Sequence, residues 1–229
     1  MSPPNPTFLA TAPAVAAAQL DDGSVHLWRI PYRPEQRRAP LLALLGDYLG
    51  VPAEDVSVLT APGGKPRLTG SAAARGARSR LDFNWSHSGD FALIALARDL
   101  ALGVDIEHLA KRPRALEIAE RYFDPGEAEA LAAFGEADRK RAFIALWCAK
   151  ESVLKAQGTG LSFGLERLAF RLDGQGLWQL ARIDPALGST GEWQIAGFEA
   201  APEYRGALAW RGTPRPLHAF QPPTEHGQD

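Results

Sequence analysis

The stretch Phe91–Glu107 reads FALIALARDLALGVDIE and contains two strand patterns separated by a short break. Its first part, Phe91–Ala97, is almost continuously apolar, which indicates a buried strand. Its second part, Gly103–Glu107, is typical of a short strand that begins at a glycine. We therefore predict that two halves of the chain meet at this break, with residues 1–101 in the first half and residues 102–229 in the second.

Strand patterns and one helix precede this stretch, helices follow it, and strand patterns return near the end. That order predicts an α+β fold rather than a regularly alternating α/β fold. Residues 1–19, rich in alanine and proline, are expected to form a loose tail, and residues 221–229 a frayed end. Strand patterns lie at Val25–Ile30, Val56–Leu59, Leu168–Leu172, Trp193–Phe198 and Ala207–Trp210, and helix patterns at Leu41–Leu49, after Asp124–Glu127 and at Arg139–Gln157.

Composition narrows the class of protein. The chain has 229 residues, of which 45% are hydrophobic and 23% charged, with a net charge of −2, so a folded core is expected and disorder is not. This net charge does not favour binding to nucleic acid or to an anionic membrane. No apolar run approaches the roughly 20 residues that span a bilayer. The single cysteine, Cys148, excludes an internal disulfide and a cysteine-cluster metal site, and predicts a reducing, cytoplasmic setting.

Two acids mark the strand at the start of the second half. Asp105 and Glu107 alternate with Ile106, so both carboxylates face the same side of the strand, with about 7 Å between their Cα atoms. Such a pair repels unless it is solvated or binds a cation, and Mg²⁺ prefers carboxylate, water and phosphate oxygens. An exposed strand end with two solvated acids would show the same spacing.

The long helix of the second half carries a lysine in an unusual place. Trp147 and Leu154 belong to its apolar stripe, and Lys150 falls inside that stripe. A lysine there must either extend its amino group to water or meet an anion. Glu151 and Lys155 lie four residues apart at the edge of the stripe. An ordinary surface pair, with Lys150 reaching water, remains an alternative.

Two polar segments of the first half could contact an anion. Phe83–Ser88 reads FNWSHS, and its hydroxyls and imidazole could bind a phosphate or a ribose. Adjacent serine and histidine on a strand face opposite ways, so they do not form a nucleophile and its base. Gly63–Arg67 reads GGKPR and lacks the spacing of a Walker loop. A turn with capping hydroxyls and a plain basic turn are the alternatives.

Taken together and in this order, these motifs resemble the 4′-phosphopantetheinyl transferase superfamily, in its long, single-chain, surfactin-synthetase-activating type. The resemblance runs from about Arg38 to Leu165. It implies two similar α+β halves related by a pseudo-two-fold axis, with the active site in the cleft between them. The motifs are Gly-Lys-Pro at 64–66, Phe-Asn-x-Ser-His-Ser at 83–88, Gly-Val-Asp-Ile-Glu at 103–107 and Trp-x-x-Lys-Glu-x-x-x-Lys at 147–155.

The resemblance also implies an activity. Enzymes of this family move the 4′-phosphopantetheine arm of coenzyme A onto a serine of an apo acyl or peptidyl carrier protein and release 3′,5′-ADP. Asp105, Glu107 and Glu151 would hold Mg²⁺, or Mn²⁺, against the pyrophosphate of coenzyme A. Glu151 would also accept the proton of the serine hydroxyl, and Lys155 would stabilise the leaving phosphate.

Several residues are implied as contacts to coenzyme A. Lys150 would meet a phosphate of coenzyme A in the cleft. Lys65, Ser86 and His87 match the family's contacts to the nucleotide end, including the 3′-phosphate, and Arg38 matches a basic position before the first helix. This region carries fewer basic residues than related chains do, which predicts a thinner clamp on the 3′-phosphate.

The expected partners are coenzyme A and a carrier protein, and the expected state is a monomer, because two halves in one chain already build one cleft. The basic run Lys111–Arg114 could receive an acidic helix of the carrier, although a solvated loop would look the same. Two other functions remain open. One is a metal-dependent phosphohydrolase that uses water in place of the serine, and the other is a non-catalytic module that binds carriers or coenzyme A.

Overall fold

The chain folds into a five-stranded sheet, a three-stranded sheet, two two-stranded hairpins and helices packed against them, which confirms the α+β class. The computed structural model describes residues 5–60, 64–110 and 114–223; Gly63, Lys111–Pro113 and the outermost parts of both predicted tails lie outside the described residues. The strands are β1 Leu9–Ala10, β2 Val25–Pro31, β3 Ser57–Leu59, β4 Arg67–Thr69, β5 Leu81–Ser88, β6 Phe91–Arg98, β7 Leu102–His108, β8 Leu168–Leu172, β9 Trp178–Ile183, β10 Trp193–Ala201, β11 Tyr204–Arg211 and β12 Leu217–Gln221, and the helices are α1 Pro13–Ala17, α2 Ala39–Leu49, α3 Gly70–Ser79, α4 Ala115–Tyr122, α5 Pro125–Ala132 and α6 Glu136–Gln157.

The first half is built on a five-stranded sheet with the order β1-β12-β2-β6-β5. β6 lies between β2 and β5 and is antiparallel to both, and its Ile94 lies opposite Trp28 of β2. Leu41 and Leu45 of α2 share one buried cluster with these two side chains. This cluster explains why the apolar spacing of α2 could be recognised in the sequence: the helix buries one stripe against the sheet.

The second half is built on a three-stranded sheet with the order β10-β11-β7. The 22-residue helix α6 packs on it, and Phe143, Leu146 and Val153 share a buried cluster with Ala207 and Ala209 of β11. The small residues of β11 allow the helix to lie close to the sheet. Among the described residues, no helix is both long and apolar enough to cross a membrane.

The two halves repeat one topology. In the first half, β2 is followed by helices and then by the β5–β6 hairpin, and β6 pairs with β2. In the second half, β7 is followed by helices and then, after the small β8–β9 hairpin, by β10 and β11, and β11 pairs with β7. In both halves the last strand therefore lies in the middle of the three, as two similar halves require.

The chain ends depart from the predicted division. β12 leaves the second half and pairs in parallel with β2, and β1 pairs with β12. The prediction that all of 102–229 belongs to the second half is therefore wrong for its last strand, and the loose tail predicted for residues 1–19 is wrong for residues 9–17. The physical reason is that β12 covers what would otherwise be an open edge of β2, and α1 buries Ala16 completely.

A buried histidine lies in the first half, away from the two acids of β7. His26 of β2 is 1% exposed, and its Nδ1 lies 2.7 Å from the Tyr48 hydroxyl. Trp28 Nε1 donates to the same hydroxyl oxygen at 2.9 Å, so the tyrosine hydroxyl links the two side chains. Burial, and then the charge of His218, lower the pKa of His26 from 6.5 to about 4.

His26 is expected to make the fold sensitive to acid. His26 binds a proton near pH 6.5 in the unfolded chain but only near pH 4 in the folded chain. Its contribution to the free energy of unfolding is therefore complete above pH 6.5 and is lost as the pH falls to about 4. At about 1.4 kcal/mol for each unit of pKa, the loss is about 3 kcal/mol. Urea unfolding at several pH values would measure it. His26→Gln should flatten this part of the profile, whereas the control His218→Gln should keep most of it; an unchanged profile in His26→Gln would contradict the assignment.

Candidate active site

A glycine brings the long helix against the strand that carries the two acids. A Cβ added to Gly103 of β7 would lie 2.1 Å from the carbonyl oxygen of Ser152 and 2.3 Å from the backbone nitrogen of Ala156. No side chain fits there, so the backbones of β7 and α6 touch. This contact brings Lys155 of α6 beside Asp105 of β7.

Lys155 joins both halves at this point. Its Nζ lies 2.6 Å from Asp105 Oδ1, 3.0 Å from Ser86 Oγ and 3.3 Å from the carbonyl oxygen of Val104. Partial burial acts to lower the pKa of Lys155, but the charges of Asp105 and then Glu151 outweigh it and raise the pKa above its ordinary value. The ammonium group is therefore a fixed positive charge between the halves.

Side chains of β5 bridge to β7 along the line where the two sheets meet, which we call the seam. Ser86 Oγ donates to Asp105 Oδ1 at 2.8 Å, and Ser88 Oγ donates to Glu107 at 2.9 Å. One step further, Asn84 Oδ1 accepts from the backbone nitrogen of Val104 at 3.0 Å. Ser86 and Ser88, two apart on β5, thus meet Asp105 and Glu107, two apart on β7, whereas Asn84 contacts the β7 backbone. Of these three, only Ser86 was assigned from the sequence, although the strict alternation of all three was a usable signal.

The carboxylates provide suitable donors for a divalent cation. Asp105 is 4% exposed, and its Oδ2 has no hydrogen-bond partner among the described residues, as expected of an oxygen that faces a cation. Carboxylate oxygens are also the ligands that Mg²⁺ prefers. Within the described residues, however, no three acidic, histidine or cysteine side chains are grouped as a metal cage. The ligand set of Asp105, Glu107 and Glu151 therefore stays a prediction.

Cys148 lies behind the acids and is not a nucleophile. It is fully buried, and its Sγ donates to the carbonyl oxygen of Arg205 at 3.4 Å. Burial, and then the charges of Asp105 and Glu107, raise the pKa of the Cys148 thiol well above its ordinary value. Because the thiolate is the reactive form, Cys148 is not suited to attack a substrate.

Lys150 does not face the cleft, so its predicted contact with coenzyme A is wrong. It is 0% exposed, and its Nζ lies 2.7 Å from the buried carboxylate of Glu127. The ammonium group also donates to the carbonyl oxygens of Leu165, at 2.8 Å, and Leu168, and it lies 4.8 Å from the ring centroid of Phe123. The anion expected beside Lys150, because this lysine lies in the apolar stripe of α6, is therefore Glu127 in the protein's own core.

A capping box at the start of α5 supplies that anion. Asp124 accepts from the backbone nitrogen of Gly126 at 3.0 Å, and Glu127 accepts from the backbone nitrogen of Asp124 at 3.0 Å. Glu127 also accepts from the backbone nitrogen of Phe170 at 2.7 Å. Burial raises the pKa of Glu127 and lowers that of Lys150, against the attraction of the pair. Glu127 thus ties α5, α6 and β8 together.

The other residues expected to contact a nucleotide lie in three places. Lys65 lies 2.7 Å from Asp82 and lines a cavity of about 580 Å³ together with the end of α6 at Gly158. Arg38 donates to the carbonyl oxygen of Val58 at 3.2 Å. His87 faces away from Ser86 across β5 and stacks on the ring of Tyr32, with a 4.4 Å centroid distance. Only Ser86 of these residues touches the Asp105–Lys155 pair in the described contacts; the remaining roles stay predictions.

Known proteins are similar in sequence to this chain. A family model described as the 4′-phosphopantetheinyl transferase superfamily matches residues 101–209, which contain β7 and α6. A Synechocystis protein described as a candidate 4′-phosphopantetheinyl transferase is 33% identical over 179 residues, 76% of this chain and 69% of that protein. The 4′-phosphopantetheinyl transferase HetI of Nostoc is 29% identical over 242 residues, 88% of this chain and 95% of HetI.

One solved structure is also similar, at a lower level. It is a Plasmodium yoelii acyl carrier protein synthase with ADP bound, with a TM-score of 0.34 and 22% sequence identity. The similarity covers 50% of this chain and 96% of the other chain.

Proposed function

This chain belongs to the 4′-phosphopantetheinyl transferase superfamily, and we propose that it transfers the 4′-phosphopantetheine arm of coenzyme A to a serine of an apo carrier protein and releases 3′,5′-ADP. The observation that supports this most is the contact of Lys155 with Asp105 and Ser86. It combines a fixed cation and a buried carboxylate at the junction of the two halves. Such a pairing suits a reaction in which negative charge moves from one oxygen to another.

Each step of the proposed transfer can be assigned to a residue at the seam. The serine oxygen of the carrier bonds to the phosphorus on the pantetheine side of the pyrophosphate, the bond from that phosphorus to the bridging oxygen breaks, and the electron pair leaves with 3′,5′-ADP. Glu151 accepts the serine proton, directly or through a water molecule. Lys155 lies beside the leaving oxygen, and because its pKa is raised, it is charged when that oxygen becomes negative.

Asp105, Glu107 and Glu151 are the residues that would hold Mg²⁺, or Mn²⁺, in this site. When bound, the cation neutralises the charge of the pyrophosphate. Asp105 already has one oxygen on Lys155 and the other, Oδ2, without a hydrogen-bond partner among the described residues, so it can serve both cations at once. We keep all three acids as the proposed ligand set.

The nucleotide end of coenzyme A is assigned to the first half. Lys65 and the cavity it lines beside α6 suit a phosphate next to an adenosine. Ser86 shares one face of β5 with Asp82, the partner of Lys65. Arg38 and His87 remain proposed contacts to the 3′-phosphate. Lys150 is removed from this set because all of its donors are used inside the core.

The proposed partner is an acyl or peptidyl carrier protein, whose serine is the acceptor. We propose a monomer, since two similar halves in one chain supply both walls of the cleft. The proposed compartment is the cytoplasm, where a lone buried thiol such as Cys148 stays reduced. The relatives favour neither the phosphohydrolase nor the non-catalytic module.

Intact-mass spectrometry of an apo carrier protein tests the proposal. After incubation with this protein, coenzyme A and Mg²⁺, the carrier is expected to gain one phosphopantetheine, and a chelator should prevent the gain. Carriers from fatty acid, polyketide and peptide synthesis should be included. No gain on any carrier, with coenzyme A bound but intact, would indicate a non-catalytic module, whereas degradation of coenzyme A without a gain would indicate a hydrolase.

A further inference from the structure

Ser88 occupies a special position on the seam. It is the last residue of β5 and is 1% exposed. Its hydroxyl oxygen accepts from the backbone nitrogen of His108 at 3.0 Å, and its proton is donated to Glu107 Oε2 at 2.9 Å. A serine has a single hydroxyl proton, so this arrangement directs that proton to the carboxylate of Glu107.

The turn after Ser88 is held by the other half of the protein. The Tyr204 hydroxyl of β11 accepts from the backbone nitrogen of Asp90 at 3.0 Å. Gly89 has a φ of +54°, and a Cβ added there would lie 2.4 Å from the same hydroxyl oxygen, so the turn leaves no room for a side chain. The Ser88 hydroxyl is therefore fixed by β7 through His108 and, through the turn, by β11.

We infer that Ser88 is a positioning residue for Glu107: its buried hydroxyl, fixed by the His108 amide and by the turn that Tyr204 holds, sets the orientation of the Glu107 carboxylate. Fixing one oxygen of a carboxylate restricts the plane of the whole group. The inference rests on the proposed function, in which Glu107 is a ligand of the divalent cation. Residues that orient a metal ligand typically change metal affinity by about 10- to 100-fold when they are removed.

The test compares Ser88→Ala with the native protein in two measurements. Mn²⁺ binding in the presence of coenzyme A is followed by electron paramagnetic resonance of the free ion, and the expected dissociation constant is at least about 10-fold higher in the variant. The Mn²⁺ concentration for half-maximal transfer should rise by the same factor, and saturating Mn²⁺ should restore most of the maximal rate. Ser24→Ala, at a buried serine before β2, is the matched control and should bind Mn²⁺ as the native protein does.

The outcomes separate this inference from the proposed function. Native protein that binds Mn²⁺ without transferring phosphopantetheine would reject the function, and the binding comparison would still decide the role of Ser88. Unchanged Mn²⁺ affinity in folded Ser88→Ala, or no Mn²⁺ binding by the native protein, would overturn the inference. If Ser88→Ala does not fold, Ser88→Cys keeps the volume with a much weaker donor, and it too must bind Mn²⁺ less tightly for the inference to stand.

Discussion

The Glu151→Gln variant is expected to fold like the native protein and to transfer phosphopantetheine at least about 100-fold more slowly, which is the range for a lost general base. Glutamine keeps the shape of the side chain but neither accepts a proton nor carries the charge that acts on Lys155. Initial rates from intact-mass time courses, with binding of coenzyme A measured by calorimetry, would show the effect in the rate and not in the melting temperature.

A matched variant isolates the effect of position. Glu129→Gln makes the same change on the exposed side of α5 and should transfer at the native rate. If Glu151→Gln transferred as fast as this control, the assignment of Glu151 to the chemistry would be wrong. A loss of coenzyme A binding equal to the loss in rate would instead make Glu151 a binding residue.

Lys150→Met is expected to reduce stability and not the rate of transfer. It should lower the free energy of unfolding by about 3–5 kcal/mol, because it leaves a buried carboxylate without its cation. Glu127 and Lys150 are both 0% exposed, so water cannot replace the lost ammonium group. Urea unfolding followed by tryptophan fluorescence would measure the loss. Transfer by the folded fraction should stay close to native, because Lys150 lies inside the core.

Two further variants make the Lys150 result decisive. Lys140→Met changes a half-buried lysine of the same helix and should alter stability by less than about 1 kcal/mol. Combining Lys150→Met with Glu127→Gln removes the buried charge and should recover part of the lost stability. A Lys150→Met protein of native stability that binds coenzyme A poorly would restore Lys150 as a contact to coenzyme A.

The elements that form the site could be predicted from the sequence because each carries a local signal. Alternation predicted that Asp105 and Glu107 share a face, and apolar spacing up to Gln157, followed by Gly158, predicted α6. The same spacing indicated that Lys150 needed an anion. It could not indicate which one, since Glu127 comes from another helix and the pairing is created only when α5 packs on α6.

Other features had no local signal in the sequence. β12 pairs with β2 from the far end of the chain, and a short strand with ordinary composition does not reveal its partner. Tyr204 holds the turn at Gly89 across the two halves, which depends on the packing of both sheets. The resemblance provided the predicted ligand set and the proposed activity, whereas the geometry provided the reason that Lys155, Ser86 and Asp105 meet.

The seam also determines how the molecule can move. β5 and β7 belong to different sheets, and Asn84, Ser86 and Ser88 join them through side chains. A small rotation of one half against the other would therefore lengthen the Ser86–Asp105 and Ser88–Glu107 hydrogen bonds before it disturbed any strand pairing. The orientation of one sheet against the other is thus coupled, through these side chains, to the orientation of the Asp105 and Glu107 carboxylates.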